Sequence, residues 1–136
     1  MNFKNIQNNL KTKEKVVFLE LSPEELQTIL KDEKDKHIVI KFGATWCVPC
    51  KKIETVLHNS FLEMPDTVYC FDLDVDDNIE LFGKLKSKKM VKTIPALLYY
   101  NCKSDRNDKW YVSDMSLFSS DNDDVMNFFK QIYNNL

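Results

Sequence analysis

Cys47 and Cys50 are the residues of this chain best spaced to do chemistry, within Trp46-Cys47-Val48-Pro49-Cys50. The run His37-Ile38-Val39-Ile40-Lys41-Phe42 just before them reads as a buried strand, and Lys51 onward reads as a helix. Cys47 is therefore predicted where a strand ends and a helix begins. The free N–H groups and the positive end of the helix dipole stabilise a thiolate there. Cys50 follows one turn later, close enough to attack a mixed disulfide formed at Cys47. This spacing implies dithiol–disulfide exchange. The competing reading is a metal half-site or two inert thiols. Zinc would need further ligands, and Cys70 and Cys102 form no second C-x-x-C. Redox chemistry is preferred, and no metal is expected.

The elements that must position this pair follow from pattern. Residues 1–15 are polar and rich in Lys and Asn, with Phe3, Ile6 and Leu10 at helical spacing, and form an N-terminal extension to a domain at 16–136. A strand is predicted at 16–21. Ser22-Pro23-Glu24-Glu25 is a capping box with proline at the first helical position, opening a helix with Leu26, Ile29 and Leu30 inward. After the strand at 37–42, a helix is predicted at 50–61, a third strand at 67–75, and a helix capped by Asp76-Asp77. A fourth strand is predicted at 94–100 and a short fifth at 110–112 (Trp110-Tyr111-Val112). The last helix, at 122–135, should bury Val125, Phe128, Phe129, Ile132 and Tyr133. The order βαβαβαββα calls for an α/β fold, a mixed sheet with helices on both faces.

Composition sets bounds. A chain of 136 residues is one domain with a single core. The formal charge of -2 provides no broad basic field, so nucleic acid is not an expected partner. Eighteen Lys stand against the single Arg106, which an A/T-rich coding bias of viral or parasitic type accounts for without chemistry. No signal core or membrane-spanning run is read, and four cysteines in an untargeted chain suit a reducing compartment. A cytoplasmic monomer is expected, or a virion-associated one if the source is viral, with no membrane partner.

The element order, the Trp-Cys-x-Pro-Cys segment and the separate Thr93-Ile94-Pro95 entry to a strand together resemble the thioredoxin family, across nearly the whole domain. The resemblance implies a thioredoxin fold, with about five strands flanked by about four helices, and a cis-proline loop facing the thiols. It implies that Cys47 is the exposed nucleophile and Cys50 the shielded resolving thiol. Trp46, Thr93, Ile94 and Pro95 would hold the substrate chain. Pro49 would set the redox poise, and proline at that position leans toward protein-disulfide reduction. No cofactor is implied beyond the cysteines; the implied partners are protein disulfides and an upstream thiol or flavin reductase.

Several positions depart from the family pattern. Val48 replaces a common Gly and should stiffen the loop. Lys41 stands where the family has a buried acid, and Asp72 stands at the position of its usual Lys partner. The pair is expected to be swapped, with Asp72 or its water as base for Cys50 and Lys41 lowering thiol pKa values. Ser113-Asp114-Met115 is expected to replace a groove Gly with an acidic rim. Thr55 replaces a kinking Pro, so the helix after the thiols is expected to be straighter. Blander readings apply elsewhere: Cys70 in the core, Cys102 an exposed and incidental loop thiol, His37 and His58 solitary. The lysines at 31–36 and 84–92 are read as solvated faces. Two rival functions are a redox-inactive binding module like spliceosomal thioredoxin-fold proteins, which share a basic residue followed by Phe-Gly as in Lys41-Phe42-Gly43, and a disulfide oxidase or isomerase. Retention of both cysteines weighs against the first, and Pro49 against the second.

Overall fold

The structure, a computed structural model, describes residues 15–136. All of the predicted extension except Lys15 therefore lies outside the described residues. The elements are β1 (Val17–Phe18), α1 (Pro23–Asp32), β2 (His37–Gly43), α2 (Val48–Lys52), α3 (Glu54–Glu63), β3 (Val68–Asp74), α4 (Ile79–Ser87), β4 (Ala96–Asn101), β5 (Met115–Leu117) and α5 (Asn122–Tyr133). They form a five-stranded mixed sheet in the order β1-β3-β2-β4-β5. The first three strands in that order run parallel, and β4 and β5 continue antiparallel.

Alternation along the central strands divides the core into two layers. Ile38, Ile40 and Phe42 of β2 face the helices α1 and α4, meeting Leu26, Leu30, Leu81 and Leu85. Val39 faces the other way, with Ile53, Leu57, Phe61, Val125, Phe128, Phe129 and Ile132 of the α3 and α5 side. Lys41 shares that second face by parity, so an ammonium points into the layer that carries the thiol helix. β2 is buried along its whole length beyond His37, as expected for a strand with neighbours on both edges and helices on both faces.

The capping box at Ser22 forms as predicted: Glu25 N–H donates to Ser22 Oγ at 3.0 Å and Ser22 N–H donates to Glu25 Oε1 at 2.8 Å. Other expectations need correction. The strand predicted at 110–112 is a turn, with Val112 N–H bonded to Lys109 O. Its carbonyls are taken by side chains, Tyr111 O by the Tyr100 hydroxyl and Val112 O by Arg106 Nε–H. The fifth strand is instead Met115–Leu117, whose register against Leu97, Leu98 and Tyr99 closes the sheet edge. The helix after the thiols is not straight. It breaks at Ile53 (φ -105°, ψ 3°), a fully buried residue, and no proline is involved.

Asp76 and Asp77 lie in a turn, and the cap position of α4 belongs to Asn78. Its amide bonds Leu21 N–H, Leu19 O and Asp74 O, tying the β1–α1 link to the end of β3. Tyr133, expected in the core, is half exposed and its hydroxyl donates to Glu63 O.

Candidate active site

β2 ends at Gly43, and the short loop Ala44-Thr45-Trp46 carries the chain to Cys47, whose N–H donates to Ala44 O at 3.1 Å. Cys47 caps α2 in extended backbone geometry, and Cys50 N–H donates to its sulfur at 3.2 Å. The two cysteines are joined as a disulfide with Cα atoms 5.3 Å apart. A backbone N–H aimed at Cys47 Sγ favours a thiolate there once the bond is reduced. Cys47 is only 5% exposed, so the expectation of an exposed nucleophile is corrected: the flanking Trp46, Val48 and Pro49 stand proud of it. It lines a groove of about 1040 Å³ together with Trp46, Pro49, Thr93 and Ile94.

The Ile94–Pro95 bond is cis, as the Thr93-Ile94-Pro95 segment suggested, and the strand begins at the next residue. Thr93 and Ile94 thus lie across the groove from the thiol loop, while Pro95 is buried behind them. Trp46 is 64% exposed, yet it is held in place, because its indole N–H donates to Asp76 Oδ2 at 2.9 Å. Asp76 was missed in the sequence as a site residue. Its turn follows β3, which lies beside β2 in the sheet, and only that adjacency brings it under the indole.

On the buried side of the thiols the swapped pair is in place. Lys41 and Asp72 are register partners on β2 and β3, and Lys41 Nζ lies 3.1 Å from Asp72 Oδ1. The lysine side chain is 11% exposed and the carboxylate 39%, so the cation is the inner member. Gly43 makes room for it. A Cβ at Gly43 would lie 2.8 Å from Lys41 Nζ and 3.4 Å from Cys50 Sγ, so the ammonium and the Cys50 sulfur border the same small space.

The predicted acidic rim is corrected. Asp114 lies at the far end of the sheet, where it accepts from Asn101 N–H, Ser104 Oγ–H and the Arg106 guanidinium. Cys102 is buried, contrary to expectation, and burial pushes its thiol up to about 11. Cys70 is in the core as read, and burial pushes it up to about 12. Neither is a nucleophile at neutral pH. Among the described residues no group of three or more His, Cys, Asp or Glu is placed to hold a metal ion, and no helix is long and apolar enough to cross a membrane.

What this geometry defines is a dithiol–disulfide exchanger, with a cysteine pair at a strand-to-helix junction opposite a cis-proline loop. The Thioredoxin family model matches residues 17–116. Thioredoxin of Ophiophagus hannah is 36% identical over 76 residues, covering 56% of this chain and 68% of its own. Mouse (Mus musculus) thioredoxin is 34% identical over 79 residues, 58% and 70% of the two chains. Thioredoxin 3 of Plasmodium falciparum is 29% identical over 98 residues, or 71% of this chain, which spans about half (49%) of that relative's length. The crystal structure of thioredoxin from Trypanosoma brucei brucei superposes with a TM-score of 0.65 over 91% of this chain and 96% of that one, at 21% identity, a likeness of fold. The chain belongs to the thioredoxin family, whose redox-active cysteine pair it carries.

Proposed function

We propose that this chain reduces protein disulfides in the cytoplasm as a monomer, without a bound cofactor, and is recharged by an upstream thiol or flavin reductase. The observation that carries this reading is the Cys47–Cys50 disulfide, whose Cys47 lines the groove that Thr93 and Ile94 share. The Cys47 thiolate attacks one sulfur of a substrate disulfide. A mixed disulfide forms, and the substrate's other sulfur leaves as a thiolate that takes a proton. The Cys50 thiolate then attacks Cys47 Sγ, the second substrate sulfur departs, and the Cys47–Cys50 disulfide closes. Two electrons have passed to the substrate.

In this scheme Trp46, held by Asp76, and the Thr93-Ile94-Pro95 loop align the substrate chain. Val48 and Pro49 stiffen the thiol loop. Lys41 favours the Cys50 thiolate, and Asp72, or water on it, takes the Cys50 proton. Asp72→Asn should slow single-turnover resolution and shift its pH profile; unchanged rates and profile would remove Asp72 from the scheme. The overall reading is tested by equilibrating the pair with glutathione, with mass-spectrometric readout and Cys50→Ser as control. A potential near roughly -270 mV supports a reductase, whereas roughly -120 to -180 mV marks an oxidant or isomerase. No reversible disulfide would leave a binding module.

A further inference from the structure

The lysines at 84–92 are placed differently from a simple solvated face. No acidic residue occurs from 81 to 104, and among the described residues none of these lysines forms an ion pair. Three lie over aromatic rings: Lys86 Nζ is 5.6 Å from the Phe82 centroid, Lys88 Nζ 5.0 Å from Tyr111 and Lys92 Nζ 5.9 Å from Phe118. Such contacts restrict where an exposed ammonium points. Lysines in the last turn of α4 also suit its dipole, which explains Lys84 and Lys86. It does not explain Lys92, which lies beyond the helix on the approach to Thr93.

Lys86 and Lys92 both line the groove that opens at Cys47. The same groove carries exposed apolar surface, Trp46, Val48 and Ile79, the last 71% exposed. Its one carboxylate, Asp76, is engaged by the Trp46 indole. The groove therefore presents apolar surface beside Cys47 and two cations that form no ion pair among the described residues.

We propose that this groove selects substrate disulfides flanked by an extended segment with an apolar residue and an acidic residue, the apolar side chain against Trp46 and Ile79 and the carboxylate against Lys86 and Lys92. The proposal rests on the reductase reading and specifies its substrate class. The attraction is long-ranged enough to act on encounter and weak enough to permit release.

The test uses two fluorogenic cystine peptides identical except for two Glu or two Lys residues flanking the disulfide, with hydroxyethyl disulfide as an uncharged reference. The full chain should reduce the acidic peptide with a kcat/KM about tenfold above that of the basic one at low salt. Salt at about 0.5 M should reduce that ratio to under about twofold. In K86E/K92E, rates normalised to hydroxyethyl disulfide should favour the basic peptide. Equal rates on the two peptides by the wild-type chain, or an unaltered ratio in K86E/K92E, would overturn the proposal while leaving the reductase reading in place. Failure to reduce any of the three substrates would overturn the reductase reading itself, and the proposal with it.

Discussion

Replacing Lys41 by methionine should raise the pKa of Cys50, because it removes the cation that borders its sulfur while roughly preserving side-chain volume. The two distances that meet at Gly43, 2.8 Å to Lys41 Nζ and 3.4 Å to Cys50 Sγ, bound the separation of the two atoms by their sum. Taking about 6 Å and an effective dielectric constant of about 20, Coulomb's law gives about 3 kcal/mol, or about two pKa units. A cation favours the anionic form of a thiol, so removing it moves the value up. The Asp72 carboxylate is common to the wild type and K41M, so it cancels in that difference. In K41M/D72N it is also gone, so the net change should be about one unit. Lys51, Glu54 and Asp74 border the same depression, but they are common to all variants and cancel in the difference. The assay is the pH dependence of Cys50 alkylation in a Cys47→Ser background, read by mass spectrometry. A Cys50 value that is unchanged or lower in K41M would refute the placement of that charge beneath the thiol.

Gly43→Ala should fold with a loss of under about 1 kcal/mol, since the new methyl clashes only with the movable end of Lys41, at 2.7 and 2.8 Å, and meets Cys50 Sγ in ordinary contact at 3.4 Å. It should still raise the Cys50 pKa in the same alkylation assay, by less than K41M does, because the ammonium is displaced and not removed. Asp114→Ala should destabilise the oxidised protein by about 2 kcal/mol in urea titrations, because it strips the carboxylate from Arg106, whose side chain is 8% exposed, and an acceptor from Asn101 N–H. A loss under about 0.5 kcal/mol would mean that solvent replaces it. Burial, with the charge of Lys103, holds the His37 imidazole below its usual value. The neutral form is thus favoured by folding, and the stability it contributes is present above about pH 6.5 and is lost as pH falls through the lowered folded-state value. His37→Gln should flatten the decline in urea midpoint between roughly pH 7.5 and roughly pH 5.5, and an equally steep decline would assign it to other groups.

Local chemistry was legible wherever a few adjacent residues decide the outcome. The Ser22 capping box, the Cys47–Cys50 pair and the Thr93-Ile94-Pro95 turn are of that kind, each carried by a short segment. Lys41 and Asp72 were legible for another reason: the family pattern that the chain resembles pairs those two positions, and the parallel register of β2 and β3 makes them partners. Where tertiary pairing decides, the reading failed. Trp110-Tyr111-Val112 has strand-forming side chains, but Tyr100 and Arg106 capture its carbonyls, and the less β-prone Met115-Ser116-Leu117 meets β4. The break at Ile53, a fully buried residue, carries no Gly or Pro signal at that position. Asp114 could not be assigned to an end of the sheet until the fifth strand was known. Asp76 looked like a helix cap, and its bond to Trp46 joins residues 30 apart in sequence.

The two free thiols divide between the layers of the molecule. Cys70 packs with the α3 and α5 side of the sheet, and Cys102 with the α1 and α4 side. With Cys47 and Cys50 replaced by serine, each remaining sulfur becomes a built-in reporter on one half of the protein, silent toward a labelling reagent until its own layer opens. Equal labelling rates would identify a single cooperative unit, and unequal rates would identify the layer that loosens first. The chain thus carries the means of measuring its own unfolding layer by layer, with no foreign probe introduced.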